Sequence, residues 1–109
     1  MLQPIVGSVS AERVLIYILA RGEGYAREIA RFYDADPDSI QKQLVKLETG
    51  GVLVSKEVGR TVVYEFNRRY AFLPELEKLL EKALSYYPEN EHERLTMNRR
   101  RPRRRGKPS

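Results

Sequence analysis

Residues 37–66 read PDSIQKQLVKLETGGVLVSKEVGRTVVYEF, and this stretch carries the clearest signals of secondary structure in the chain. Proline at its first position, directly after Asp36, is typical of a capped helix start. Apolar residues then recur at helical spacing until Gly50-Gly51 ends the pattern. These apolar residues are Ile40, Leu44 and Leu47. We therefore predict a helix that turns this side inward.

The second half of the stretch predicts a β-hairpin. Two runs rich in β-branched and aromatic residues, 52–58 and 61–66, are separated only by Gly59-Arg60. A two-residue loop that contains glycine is a common connection between antiparallel strands. Alternation along the return strand puts one set of side chains on the same face: Val62, Tyr64 and Phe66.

Three further helices are predicted outside this stretch. A first helix over about 11–21 follows Ser10, a good N-cap residue, and a second covers about 27–33. Pro74 opens a last helix that reaches about Tyr87. The order helix, helix, helix, hairpin, helix predicts a mainly α fold with a β-hairpin wing, namely a winged helix-turn-helix with an added C-terminal helix.

The chain of 109 residues has room for one domain and divides into four parts. We predict an N-terminal arm over 1–8, a winged helix-turn-helix over 9–69, a C-terminal dimerisation helix over 70–88, and a basic disordered tail over 89–109. Residues 1–93 carry a net charge of −3 and residues 94–109 a net charge of +8, so the overall charge of +5 comes from the tail. A claim that the folded part binds nucleic acid must therefore rest on local patches.

Three segments resemble parts of ArsR-type transcriptional regulators. Residues 25–31 (YAREIAR) are similar to their second helix, residues 39–53 (SIQKQLVKLETGGVL) to their recognition helix and wing start, and residues 59–64 (GRTVVY) to their wing turn. The resemblance covers roughly 9–87 and is closest to the cysteine-free branch, winged helices often encoded with small nucleotidyltransferases. It implies DNA binding by a homodimer that is formed by the first and last helices.

The outer face of the third helix is the candidate DNA-reading surface. With the apolar side turned inward, helical geometry places six residues outside: Asp38, Ser39, Lys42, Val45, Lys46 and Thr49. Lysine can contact phosphate or guanine, and glutamine and serine can bind base edges. We therefore predict DNA contacts by Arg27, Ser39, Gln41, Lys42, Gln43, Lys46, Arg60 and Thr61. An ordinary solvated helix face is the alternative, and Asp38 would face phosphates unfavourably.

The first and last helices favour a homodimer. The first helix is apolar on every side and must be covered on every side, which so small a domain is not expected to achieve. The last helix carries an apolar stripe, for which packing on its own domain is the alternative. The predicted dimer interface is formed by Val14, Ile18, Leu76, Leu80, Ala83, Leu84 and Tyr87. A two-fold dimer would present two recognition helices to a palindromic site.

The basic tail is predicted to contact phosphates. Proline and glycine oppose a stable helix in residues 99–107, which contain no apolar side chain to bury. The predicted contacts are made by Arg99, Arg100, Arg101, Arg103, Arg104 and Arg105. A solubilising or incidental tail and a nuclear-targeting signal are the alternatives.

Enzymatic and metal chemistry are not expected. The chain has no cysteine, and its one histidine, His92, lies in a polar region. We expect no cofactor, no metal and no membrane partner, with a cytoplasmic location. The predicted function is a homodimeric, sequence-specific regulator of transcription on double-stranded DNA. The alternatives are a protein-interaction winged helix that partners a nucleotidyltransferase, and an RNA-associated protein that uses its basic tail.

Overall fold

A computed structural model describes the backbone of residues 1–100 and the side chains of residues 1–96. The elements within these residues are α1 (Gln3–Val6), α2 (Val9–Arg21), α3 (Ala26–Tyr33), α4 (Pro37–Thr49), β1 (Leu53–Val58), β2 (Thr61–Phe66), α5 (Leu73–Ser85) and α6 (Glu89–Arg100). The described part is mainly helical with one antiparallel hairpin, which confirms the coarse prediction and is compatible with a winged helix. Elements α2 to α5 begin and end within two residues of their predicted positions.

The stretch 37–66 forms the predicted helix and hairpin. The Asp36 side chain caps α4 by accepting the backbone N–H of Asp38 at 3.1 Å. The strands pair from Leu53 opposite Phe66 to Val58 opposite Thr61. Gly59 occupies the connecting turn with φ of +64°, a conformation that glycine adopts without steric cost. Along β2, Tyr64 and Phe66 are buried as predicted, but Val63 on the other face is buried too, and Val62 is exposed because it lies next to the turn of the hairpin.

Helix α2 is the centre of the core. Its side chains at Val14, Ile16 and Ile18 have no exposed surface, and helices α3 to α6 surround it. The predicted N-cap was wrong, because Ser8 rather than Ser10 accepts the N–H of Ala11, at 3.0 Å. The sequence predicted that every side of this helix is covered. In the structure the other helices of the same chain provide this cover.

The predicted disordered tail from residue 89 is wrong for residues 89–100, which form α6. Its first half carries Glu89, Glu91 and Glu93 and its second half is basic, a charge order that favours a helix through its dipole. Leu95 is fully buried against the core and is the apolar anchor of this otherwise polar helix. One buried leucine in a polar run gives no helical periodicity, which is why the sequence did not predict this helix.

Arginine side chains on aromatic rings hold α6 in place. The guanidinium of Arg21 lies 4.7 Å from the Tyr17 ring centre and donates to the Leu95 carbonyl oxygen at 2.9 Å and the Arg94 carbonyl oxygen at 3.2 Å. In return, Arg94 lies 4.5 Å from the Phe32 ring centre and donates to the Phe32 carbonyl oxygen at 3.2 Å. These contacts combine charge-assisted hydrogen bonds with cation–π attraction.

The predicted N-terminal arm over 1–8 is also partly wrong, because it contains α1 and is attached to the core. Leu2 is buried, and its N–H donates to Oε1 of Glu12 at 2.9 Å. The N-terminal ammonium lies 3.3 Å from the same oxygen, while the Tyr87 hydroxyl donates to Oε2 at 2.9 Å. Burial by itself raises the pKa of Glu12, but these three donors outweigh it and hold the pKa below its ordinary value.

Leu95→Ala tests the docking of α6. We expect it to lower the free energy of unfolding by about 2–5 kcal/mol, since it leaves a cavity beside α2. Urea denaturation followed by circular dichroism measures this change. Glu93→Ala, at an exposed position of the same helix, is the control and should stay within about 0.5 kcal/mol of the wild type. Equal stability of Leu95→Ala and wild type would contradict the docked helix.

Glu12→Gln tests the buried carboxylate through pH. Because the pKa of Glu12 is lower in the folded chain than its ordinary value of 4.5, its ionisation stabilises the fold above that pH. This contribution is lost as the pH falls through the folded-state pKa. We therefore expect the stability advantage of wild type over Glu12→Gln to be constant near neutrality and to shrink as the solution is acidified below 4.5. An advantage that does not change with pH would contradict this assignment.

Candidate nucleic-acid interface

The outer face of α4 is exposed as predicted. Ile40 and Leu44 are fully buried on the inner side, and Leu47 is half-buried. Of the six outward residues only Ser39 is partly covered, by its contact with the capping Asp36. Val45 adds an apolar side chain, 46% exposed, between the two lysines of this face. The face can therefore offer both charged and apolar contacts to a groove.

The cations of the predicted interface are not neutralised within the described residues. Arg27, Lys42, Lys46 and Arg60 are exposed and form no ion pair there. By contrast, Lys56 lies 3.4 Å from a carboxylate oxygen of Glu23, and Arg68 lies 3.1 Å from one of Glu77. The predicted contact residues thus keep their charge available for a partner.

Two side-chain hydrogen bonds tie the hairpin to α4. The Gln41 amide donates to the Tyr64 hydroxyl at 3.2 Å, and the Ser55 hydroxyl donates to Glu48 Oε2 at 2.6 Å. They fix the hairpin beside the helix, so the position of Arg60 relative to Lys42 is set by the fold. Gln41, predicted as a base contact, therefore already has a partner inside the domain, whereas Gln43 is half-buried with no such bond described.

The hairpin tip presents one cation. Arg60 is exposed at the two-residue turn, and Thr61 next to it is half-buried. Glu57 is exposed opposite Val62, one pair further from the tip. The tip is thus locally mixed in charge, and Arg60 at its end is the group placed to reach an anion.

Helix α3 begins with an uncapped N-terminus beside an exposed arginine. Its N-cap residue, Tyr25, makes no side-chain capping bond, and Arg27 is exposed in the first turn. Free N–H groups and the positive end of the helix dipole favour a bound phosphate at such a position. Asp34, with φ of +53°, then turns the chain sharply into α4.

The structure corrects the assignment of the dimer interface. Val14, Ile18, Leu80, Ala83 and Leu84 are buried inside one chain, and Leu76 and Tyr87 are half-buried there. The physical reason is α6, which covers the side of α2 that the sequence analysis left for a second copy. The apolar stripe on α5 thus follows the alternative, packing on its own domain. The homodimer itself stays a prediction.

The remaining predicted sites lie at or beyond the described part. Arg99 and Arg100 are the last residues of α6, and Arg101, Arg103, Arg104 and Arg105 lie outside the described residues. Within residues 1–96 no group of three or more potential metal-ligating side chains comes together. None of the helices in the described range combines the length and apolarity needed to cross a membrane.

Comparison with known proteins gives no assignment: no family model, curated protein or solved structure matches this chain. The resemblance to ArsR-type regulators therefore stays a prediction from the residues that carry it.

Leu80→Ala distinguishes a core residue from an interface residue. We expect a loss of about 2–5 kcal/mol in the free energy of unfolding, because a buried leucine is truncated. The loss should be the same at every protein concentration, since one chain supplies all the contacts of Leu80 that we describe. Exposed Glu81→Ala on the same helix is the control. A loss that shrinks on dilution would show instead that Leu80 stabilises an oligomer.

Proposed function

We propose that the chain is a winged helix-turn-helix protein that binds double-stranded DNA and regulates transcription. The observation that carries this proposal is the exposed face of α4, whose two lysines have no ion pair in the described part and lie beside a hairpin fixed to the same helix. Arg60 at the tip of that hairpin is a third exposed cation without an ion pair in the described part.

In this proposal α4 is the recognition helix. A helix fits the major groove, about 12 Å wide, and its side chains can read base edges there. Lys42 and Lys46 would contact guanine or phosphate, and Val45 would contact a thymine methyl group. Asp38, also on this face, would favour a cytosine amino group or a position away from phosphate.

The other elements would hold the duplex by its backbone. The hairpin acts as the wing, and Arg60 at its tip would bind phosphate or enter the minor groove. The N-terminus of α3 with Arg27 would bind a phosphate on the other side of α4. Such contacts fix the register of the recognition helix without reading sequence.

A homodimer on a palindromic site remains part of the proposal, with a different interface. Several exposed apolar residues could contact a second copy, among them Met1, Ile5 and Val9 at the start of the chain and Phe72 and Tyr86 on either side of α5. The same exposed residues favour the second candidate function, a protein-interaction winged helix that partners a nucleotidyltransferase. Light scattering of the purified chain, alone and with the product of a neighbouring gene, distinguishes the two.

The test of the proposed function is the double variant Lys42→Ala/Lys46→Ala. A duplex is first selected from genomic fragments with the wild-type protein, and binding is then measured by fluorescence anisotropy. We expect the variant to lose about 1–3 kcal/mol for each base-specific contact removed.

The matched control is Lys78→Ala/Lys82→Ala, which removes the same charge from exposed positions of α5. It should keep its preference for the selected duplex. Unchanged binding of the α4 variant would show that α4 is not the reader. Failure of the wild type to select any duplex would overturn the proposed function.

A further inference from the structure

We propose that α3 and α6 form a second phosphate-binding surface, which extends the DNA interface from α4 to the arginine-rich C-terminal sequence. We call this surface the arginine ridge and define it by Arg27, Arg31 and Arg94. The inference rests on the proposed function, because it takes DNA as the partner. It adds two contact residues, Arg31 and Arg94, that the sequence analysis did not select.

The ridge begins on the exposed side of α3. Arg27 and Arg31 are four residues apart, so their side chains lie on one helix face. Both are exposed and form no ion pair within the described residues. The buried side of the same helix is formed by Ile29 and Ala30, so the two arginines are not needed for packing.

Arg94 joins the ridge from α6. One of its N–H groups donates to the carbonyl oxygen of Phe32, the residue that follows Arg31, and the guanidinium lies over the Phe32 ring. This is the only hydrogen bond that we describe for its side chain, and a guanidinium has five N–H donors. The residue as a whole is exposed, so donors remain for a phosphate, which arginine can bind through two parallel hydrogen bonds.

The position of Arg94 is fixed by the core. Leu95 is fully buried next to it, and Arg21 holds the carbonyl groups of both residues. Arg21 also donates to the Tyr17 hydroxyl at 2.7 Å, so its charge is used inside the protein and does not belong to the ridge. A cation held in this way loses little conformational entropy when a phosphate binds.

The direction of α6 can be read from its contacts with α2. Tyr87, before α6, contacts Glu12 in the first half of α2, whereas Leu95 contacts Arg21 at its last residue. Helix α6 therefore runs in the same direction as α2 and continues for five residues, roughly 7.5 Å, past that contact. It leads towards the end of the domain where Gly24 pairs with Tyr64 of the hairpin and α3 begins.

The partner that fits this surface is a phosphate backbone. Acidic residues also lie in or at the end of the same segments, among them Glu28, which is half-buried near Tyr17, Asp34, Glu91 and Glu93. None of them forms an ion pair with the three arginines within the described residues. Duplex DNA offers one negative charge per 1.7 Å or so of axis, so a row of separated cations can be satisfied by one continuous ligand. Contacts of this kind add affinity without sequence preference.

The test is Arg31→Gln, measured against the selected duplex and a scrambled duplex of equal length over a series of salt concentrations. Loss of one phosphate contact should lower the slope of log affinity against log salt by about 0.9. This corresponds to a loss of about 15-fold at 50 mM salt and about 4-fold at 200 mM. Both duplexes should lose affinity by the same factor, so the sequence preference should not change.

A triple variant, Arg103→Gln/Arg104→Gln/Arg105→Gln, measures the C-terminal sequence in the same assay. If one duplex lies along the ridge and this sequence, combining the triple variant with Arg31→Gln should lower the salt slope by the sum of the separate effects. Lys82→Gln, an exposed cation of α5, is the control and should keep the wild-type slope.

The outcomes separate the ridge from the proposed function. A wild-type slope for Arg31→Gln, together with loss of operator binding by Lys42→Ala/Lys46→Ala, would overturn the ridge and leave the proposed function standing. Wild-type protein that binds neither duplex in a salt-dependent way would overturn both. Circular dichroism of Arg31→Gln and of Arg94→Gln shows that the fold is retained, so that a lost contact is not mistaken for unfolding.

Discussion

A helix that is apolar on every side is stable in water only when protein covers every side, and α2 imposes this requirement on the rest of the chain. Helices α3 and α4 cover one part, α5 another and α6 the remainder. The requirement also explains the attachment of the N-terminal residues, because Glu12 at the start of α2 receives donors from Leu2 and Tyr87. The exposed faces of α3 and α4 are then free to act on a partner, because their other faces are already used against α2.

The cover supplied by α6 shows how a polar helix can close an apolar core. It contributes one fully buried leucine, Leu95, and is also held by hydrogen bonds from Arg21 to its carbonyl groups and by Arg94 on the Phe32 ring. Arginine is suited to this role because its planar group stacks on a ring while its N–H donors reach carbonyl oxygens at the edge. The same residue type therefore stabilises the fold at Arg21 and remains available to a partner at Arg94.

The sequence predicted the parts of the fold that depend on periodicity and turn chemistry. The α4 pattern, its Asp36 cap and the Gly59 turn are local signals, and the structure agrees with each. It also predicted that α2 is fully covered, but assigned that cover to a second chain. That error has a physical origin, because contacts such as those between Arg21 and the carbonyl groups of α6 join residues more than seventy positions apart and leave no periodic trace. At the candidate site, helical geometry predicted which side chains of α4 are exposed. The hydrogen bond from Gln41 to Tyr64 and the position of Arg94 depend instead on tertiary packing, which the sequence pattern does not show.

The arrangement of charge explains how a domain with net negative charge over residues 1–93 can still face a polyanion. Helix α6 carries glutamates at 89, 91 and 93 and arginines at 94, 99 and 100, and its two ends lie roughly 16 Å apart. The two ends are therefore further apart than the Debye length of about 10 Å at 0.1 M salt, whereas Glu91 and Glu93 lie within three residues of Arg94 and reduce the potential there. Because α6 runs in the same direction as α2, its basic end points towards the hairpin and the start of α3, where Arg27 and Arg60 belong to the proposed interface. The direction of this packed helix therefore brings its basic end, rather than its acidic end, towards the proposed interface.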